Sequence, residues 1–202
     1  MALNLSKLPL STIGGTLVIL LFCIFTLASV SQYPGPFSPM DNWLSDLGTP
    51  AKNPSGNVFF NVGCVLTGIC MLVLMAGLDV WKVEGLQKKM LALGRICGAI
   101  SAVGLVLIGI FYEGTAYHGT LALVFFLFLF LFLVFTNAAI WKHEQYNKWI
   151  KYYAIIAIAL DVVFIYTYFA YEHAPVWEWL AVFSALLWVA MLAYNILKLK
   201  PR

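Results

Sequence analysis

Six apolar runs, at about residues 11–31, 57–80, 92–112, 119–141, 152–171 and 179–197, alternate with polar connections, and the basic residues sort to one side of them. Each run is about 20 residues, enough at 1.5 Å rise per residue to cross a hydrocarbon core of roughly 30 Å. Lipid offers no partners to backbone N–H and C=O groups, so a chain of this kind must cross as helices that bond internally. Alternating sides along the chain groups Lys7, Lys82, Lys88, Lys89, Arg95, Lys142, Lys148, Lys151, Lys198, Lys200 and Arg202 together and leaves only Lys52 opposite them. Basic residues near span ends are retained on the cytoplasmic side. The predicted fold is therefore an all-α integral membrane protein, a six-transmembrane-helix bundle with both termini cytoplasmic, sited in the cell membrane.

Composition limits what else the chain can be. With 62% hydrophobic and 10% charged residues, it lies far from soluble usage, where about a quarter of residues are charged. The spans use up most of the 202 residues, so 1–202 reads as a single membrane domain. The net charge of +3 follows from the inner connections. No basic stretch is interleaved with exposed aromatics, so no nucleic acid partner is expected; membrane lipids are. Homo-oligomers stay open. Cys23, Cys64, Cys70 and Cys97 all fall inside apolar runs, which suits buried thiols rather than disulfides. The first run is long for a cleaved leader and is read as a retained span. Trp43, Trp177, Trp179, Tyr33, Tyr112, Tyr117 and Tyr171 mark the outer interface, and Trp81, Trp141, Trp149, Tyr152 and Tyr153 the inner one.

One outer connection, 32–56, is much longer than the rest. Ser38-Pro39-Met40-Asp41 reads as a helix start and Gly48 as a stop, while Met40, Trp43, Leu44 and Leu47 recur at helical spacing. This predicts a short amphipathic helix over about 38–47, on or tucked into the outer surface. Asn53-Pro54-Ser55-Gly56 then turns the chain into the second span. In the third span, Gly94, Gly98 and Ala102 form a small-residue stripe for close helix approach. The Phe-rich fourth span shows no polar face above Asn137 and reads as lipid-facing.

The same topology gathers Asp41, Asp46, Glu113, His118, Glu172, His173 and Glu178 at the outer end. Acids collect there by default when bases are held inside, yet Glu113 with His118, and Glu172 with Glu178, bracket two tight turns. Asp161, near the middle of the fifth span, is the costliest residue, at least ~2.5–3.5 kcal/mol on insertion scales, and must face the bundle. Tyr168 and Glu172 follow on its helical face, so Asp161 either fixes packing or floors a polar cavity opening outward. Asn57 and Asn61, one turn apart on the second span, can bridge helices, orient a ligand, or hold the loop carrying Asp46. Two outer histidines with carboxylates could ligate a metal, but no HxxxH or HExxH spacing occurs. Ser45, His118 and Asp46 could form a hydrolytic set, although neighbours on a short helix point apart. No cofactor is named by these residues.

Leu44-Ser45-Asp46-Leu47-Gly48, Asn57-Val58-Phe59-Phe60-Asn61-Val62-Gly63 with Gly68, and Gly109-Ile110-Phe111-Tyr112-Glu113 with His118 together resemble the domain-of-unknown-function 998 family. Glu178 sits where that family often carries an acid. More distantly the chain resembles the Frag/DRAM/Sfk membrane proteins, linked to lipid remodelling, lipid asymmetry and autophagy. It departs from the CREST group of metal-dependent membrane hydrolases, to which it is faintly similar, because only two histidines can face one site. These resemblances imply a six-span fold and lipid handling.

Three functions are then open. In a lipid hydrolase or transferase, His118 is the base, Asp46 orients it, Glu113 and Glu178 are secondary acids, and Ser45, Asn57, Asn61, Asp161, Tyr168 and Glu172 surround the substrate. An ion- or proton-coupled transporter would use Asp161. A non-catalytic lipid-binding or assembly protein needs none of these reactions.

Overall fold

The computed structural model describes residues 8–171 and 173–200. Six helices carry the chain: α1 (Leu10–Ser31), α2 (Asn57–Ala76), α3 (Gly85–Ile110), α4 (His118–Ile140), α5 (Lys148–Ala170) and α6 (Pro175–Leu197). All six are long and apolar enough to cross a membrane, so the protein is a multi-pass membrane bundle. Each helix packs on its chain neighbours, and α6 returns to α1 to close a ring. Short connections make consecutive helices antiparallel, and an even number brings the start of α1 beside the end of α6. There Thr12 Oγ1 donates to the Ala193 carbonyl at 3.3 Å. The long connection 32–56 lies at the other end of the bundle, called here the loop end; the end holding both described chain ends is the terminal end.

The small-residue stripe of α3 serves close packing on two sides. Gly94 faces Thr136 of α4, Gly98 is wedged between Met75 of α2 and Phe132 of α4, and Ala102 is fully buried. The lipid-facing reading of α4 is corrected. Phe125, Phe126 and Phe132 are 7%, 4% and 0% exposed, so one face of the helix packs into the bundle, while Leu123 and Leu127 on the other are exposed. Hydropathy cannot separate the two cases, because the tails of lipids are as apolar as a packed interior. The helix with the least buried span is α5. Trp81, expected at an interface, is also fully buried, its ring edge-on to His143 at 5.1 Å and Tyr146 at 5.5 Å.

The amphipathic helix expected over 38–47 does not form. Residues 39–42 turn, and the only helical segment of the loop is a 3₁₀ turn at Leu44–Gly48. Local side chains explain this. Ser38 Oγ accepts the Met40 N–H, Asn42 Oδ1 accepts the Ser38 N–H, and Asp46 Oδ2 accepts the Trp43 N–H. Each such bond offers the backbone an alternative to the helical ladder. Leu44 and Leu47 point inward, 2% and 0% exposed, while Met40 is 67% exposed, so the four apolar residues share no single face.

Candidate functional site

The loop is stitched into the bundle by polar side chains from three helices. From α2, Asn61 Nδ2 donates to the Gly48 carbonyl at 3.0 Å. Gly48 is not left-handed, as a helix stop would be; it has no side chain because a Cβ there would lie 2.4 Å from Asn61 Oδ1. Asn57 Nδ2 donates to the Asn53 and Pro54 carbonyls. From α1, Ser29 Oγ meets the Gly56 carbonyl at 2.9 Å and receives Asn53 Nδ2 at the same distance. From α6, Glu178 Oε2 accepts the Leu44 N–H at 2.6 Å, and Trp179 Nε1 donates to the Asn42 carbonyl at 2.9 Å. His118, which opens α4, donates from Nδ1 to the Phe111 carbonyl at 3.1 Å.

An ionic cluster sits on the loop. Lys52 Nζ pairs with Asp46 and, at 3.3 Å, with Glu113 Oε1, while Ser45 Oγ donates to Glu113 Oε2 at 2.8 Å. Burial raises the Asp46 carboxyl above the ordinary value, against the opposing hydrogen bond from Lys52. Burial would raise Glu113 too, but its hydrogen bonds to Ser45 and Asp46 and the Lys52 charge outweigh it, leaving Glu113 lowered. For Lys52, burial pulls downward and the bond to Asp46 with the two carboxylate charges overcomes it, so the ammonium is held above its usual range. The cluster is a clasp between the loop and the end of α3.

Beneath the clasp lies a narrow slot of about 40 Å³, walled by Phe22, Leu44, Phe60, Cys64, Leu105, Ile108, Ala122, Phe125, Phe126 and Val182. Only Ser45, His118 and Glu178 bring charged or hydroxyl-bearing chemistry to it. A second apolar space of about 40 Å³ shares Phe22, Leu105, Phe125 and Val182 with the first and is also lined by Thr67, Met71, Leu129 and Val189. The two spaces, together called here the track, lie side by side across these four shared walls, with the polar group of three lining the first of them.

The expected site residues therefore divide. Ser45, His118 and Glu178 meet at the slot. Asp46 and Glu113 stand behind it in the clasp, and the ring of His118 is held by the Phe111 carbonyl instead of by Asp46. Asn57 and Asn61 hold the loop. Tyr168 is 42% exposed, edge-on to Trp43 at a ring distance of 6.5 Å. Asp161 is 1% exposed, with neither carboxyl oxygen bonded among the described residues, and it lines neither half of the track. Glu172 lies outside the described residues. Among those described, no group of three or more His, Cys, Asp and Glu side chains is placed to hold a metal ion. Sequence reasoning missed Asn53, taken only as part of a turn, and it missed the apolar track altogether.

Over residues 16–195 the chain matches the model of a family described as protein of unknown function, DUF998. No curated protein and no solved structure matches it.

Proposed function

The chain belongs to the DUF998 family, and from that premise and the geometry of the slot we propose that it binds an amphipathic lipid, one hydrocarbon chain lying in the track and the polar head meeting Ser45, His118 and Glu178. The observation that carries this reading is that two narrow apolar spaces share Phe22, Leu105, Phe125 and Val182 as walls, while a polar group of three lines only the first. The slot's narrowness favours a single chain. A second reading, hydrolysis or group transfer on the bound lipid, draws on the carboxylate of Glu113 at 2.8 Å from the Ser45 hydroxyl and on His118 beside them.

The test is photolabelling with a 16-carbon chain bearing a diazirine. It should mark peptides of α1, α4 and α6 in the intact protein. Val182 is 7% exposed and shared by both halves of the track, so Val182→Trp should cut labelling about tenfold or more by filling the passage. Labelling spread evenly over the exposed faces, unchanged in Val182→Trp, would refute the reading.

The loop end is further proposed to face away from the cytoplasm, because the described basic residues other than Lys52 belong to the terminal end. Met40 is 67% exposed on the loop, and Glu84 is exposed between α2 and α3. Met40→Cys should react with a membrane-impermeant maleimide on intact cells, and Glu84→Cys only after permeabilisation. The reverse order would invert the topology.

A further inference from the structure

The three polar groups at the slot have already committed their donors elsewhere. Ser45 gives its hydroxyl proton to Glu113 Oε2. His118 spends Nδ1–H on the Phe111 carbonyl, which leaves Nε2 of the neutral ring as an acceptor. Glu178 takes the Leu44 N–H on Oε2 and a further backbone N–H from Ser45. What they present to the slot is acceptor capacity from a carboxyl, an imidazole nitrogen and a hydroxyl oxygen. Among the described residues a cation is missing as well. Glu178 is 9% exposed, and no described Lys, Arg or His nitrogen lies within 4.0 Å of its oxygens. Lys52 is spoken for by Asp46 and Glu113, and Arg95 by Asp79 at the terminal end.

A buried carboxyl without a counter-ion is costly to ionise. A head that brings its own cation and several N–H donors would complete the set. An alkylammonium does both, carrying one charge and three donors. A phosphate or carboxylate head would instead bring negative charge beside Glu178, with Asp46 and Glu113 behind it and Lys52 already paired to both. Resting on the lipid-slot reading above, we infer that the occupant is a single-chain amphiphile with a primary ammonium head, seated against Glu178, Ser45 and His118. Charge complementarity decides among chains of equal length.

The test uses the full chain in phosphatidylcholine nanodiscs, with protein-free discs subtracted, and competition against radiolabelled hexadecylamine. The competitors share one chain: hexadecylamine, hexadecyltrimethylammonium, hexadecanol and hexadecanoate. The amine should bind about tenfold or more tighter than the trimethylammonium and the alcohol, and hexadecanoate weakest of all. Glu178→Gln should cut the amine-over-alcohol ratio about tenfold, both competitors being measured in the same variant. Should Glu178→Gln not fold, Ser45→Ala carries the same comparison, losing one acceptor and part of the preference. Trimethylammonium equal to the amine, or hexadecanoate equal or better, would overturn the inference and leave the lipid slot standing. Saturable binding of none of the four would overturn the slot itself.

Discussion

Asn53→Ala is expected to undock the loop and to lower the thermal midpoint more than any single truncation at the loop end. Asn53 is 0% exposed. Its Nδ2 serves Ser29 Oγ at 2.9 Å and the Leu47 carbonyl at 3.1 Å, and its Oδ1 accepts the Gly56 N–H at 3.1 Å. Alanine leaves a buried N–H and a buried carbonyl unpaired, at about 1–3 kcal/mol for each group. A loss of about 3 kcal/mol corresponds to a drop of roughly 6–12 °C for a chain of this length. Because the loop carries Leu44 and Ser45, two walls of the slot, photolabelling by the alkyl chain should fall together with the midpoint. Asn53→Asp keeps the acceptor for Gly56 and loses the donors, so it should land between the two. Differential scanning fluorimetry in nanodiscs reads all three. An unchanged midpoint in Asn53→Ala would mean that the loop is held by the clasp alone.

The same residue shows what a sequence can and cannot disclose. The six spans were legible because lipid imposes one requirement, apolar length, that leaves a direct mark on composition. Ser45, Glu113, His118 and Glu178 were legible as polar residues sorted to one end. Their partners were not. Leu44 N–H meets Glu178 across 134 positions and Ser45 meets Glu113 across 68, pairings that only the closed ring of helices creates. Asn53 looked like an ordinary turn residue because its partner Ser29 belongs to another segment, 24 positions away, and Leu47 is brought beside it only by the fold of the loop. Met40, Trp43, Leu44 and Leu47 have helical spacing, yet Ser38, Asn42 and Asp46 bind the adjacent backbone and win locally. The track is written in Phe22, Leu105, Phe125 and Val182, which carry no mark distinguishing a wall from a lipid-facing surface.

Asp161→Leu is expected to stabilise the protein, the opposite of what most buried substitutions do. The carboxyl is 1% exposed and has no hydrogen-bond partner on either oxygen among the described residues. Leaving a buried polar group unpaired costs about 1–3 kcal/mol, and more for a charge, and leucine removes that cost with a side chain of similar size. A gain of about 2 kcal/mol would raise the midpoint by roughly 4–8 °C. Asp161→Asn should gain little, since an amide there meets the same shortage of partners. Alkyl-chain labelling should be unaffected in both, because Asp161 lines neither half of the track. The competing outcome is equally informative. If Asp161→Leu lowers the midpoint, the carboxyl is satisfied in the membrane by an ion or a lipid group. In that case the transport reading, with Asp161 as its ion or proton site, regains the ground that the slot now holds.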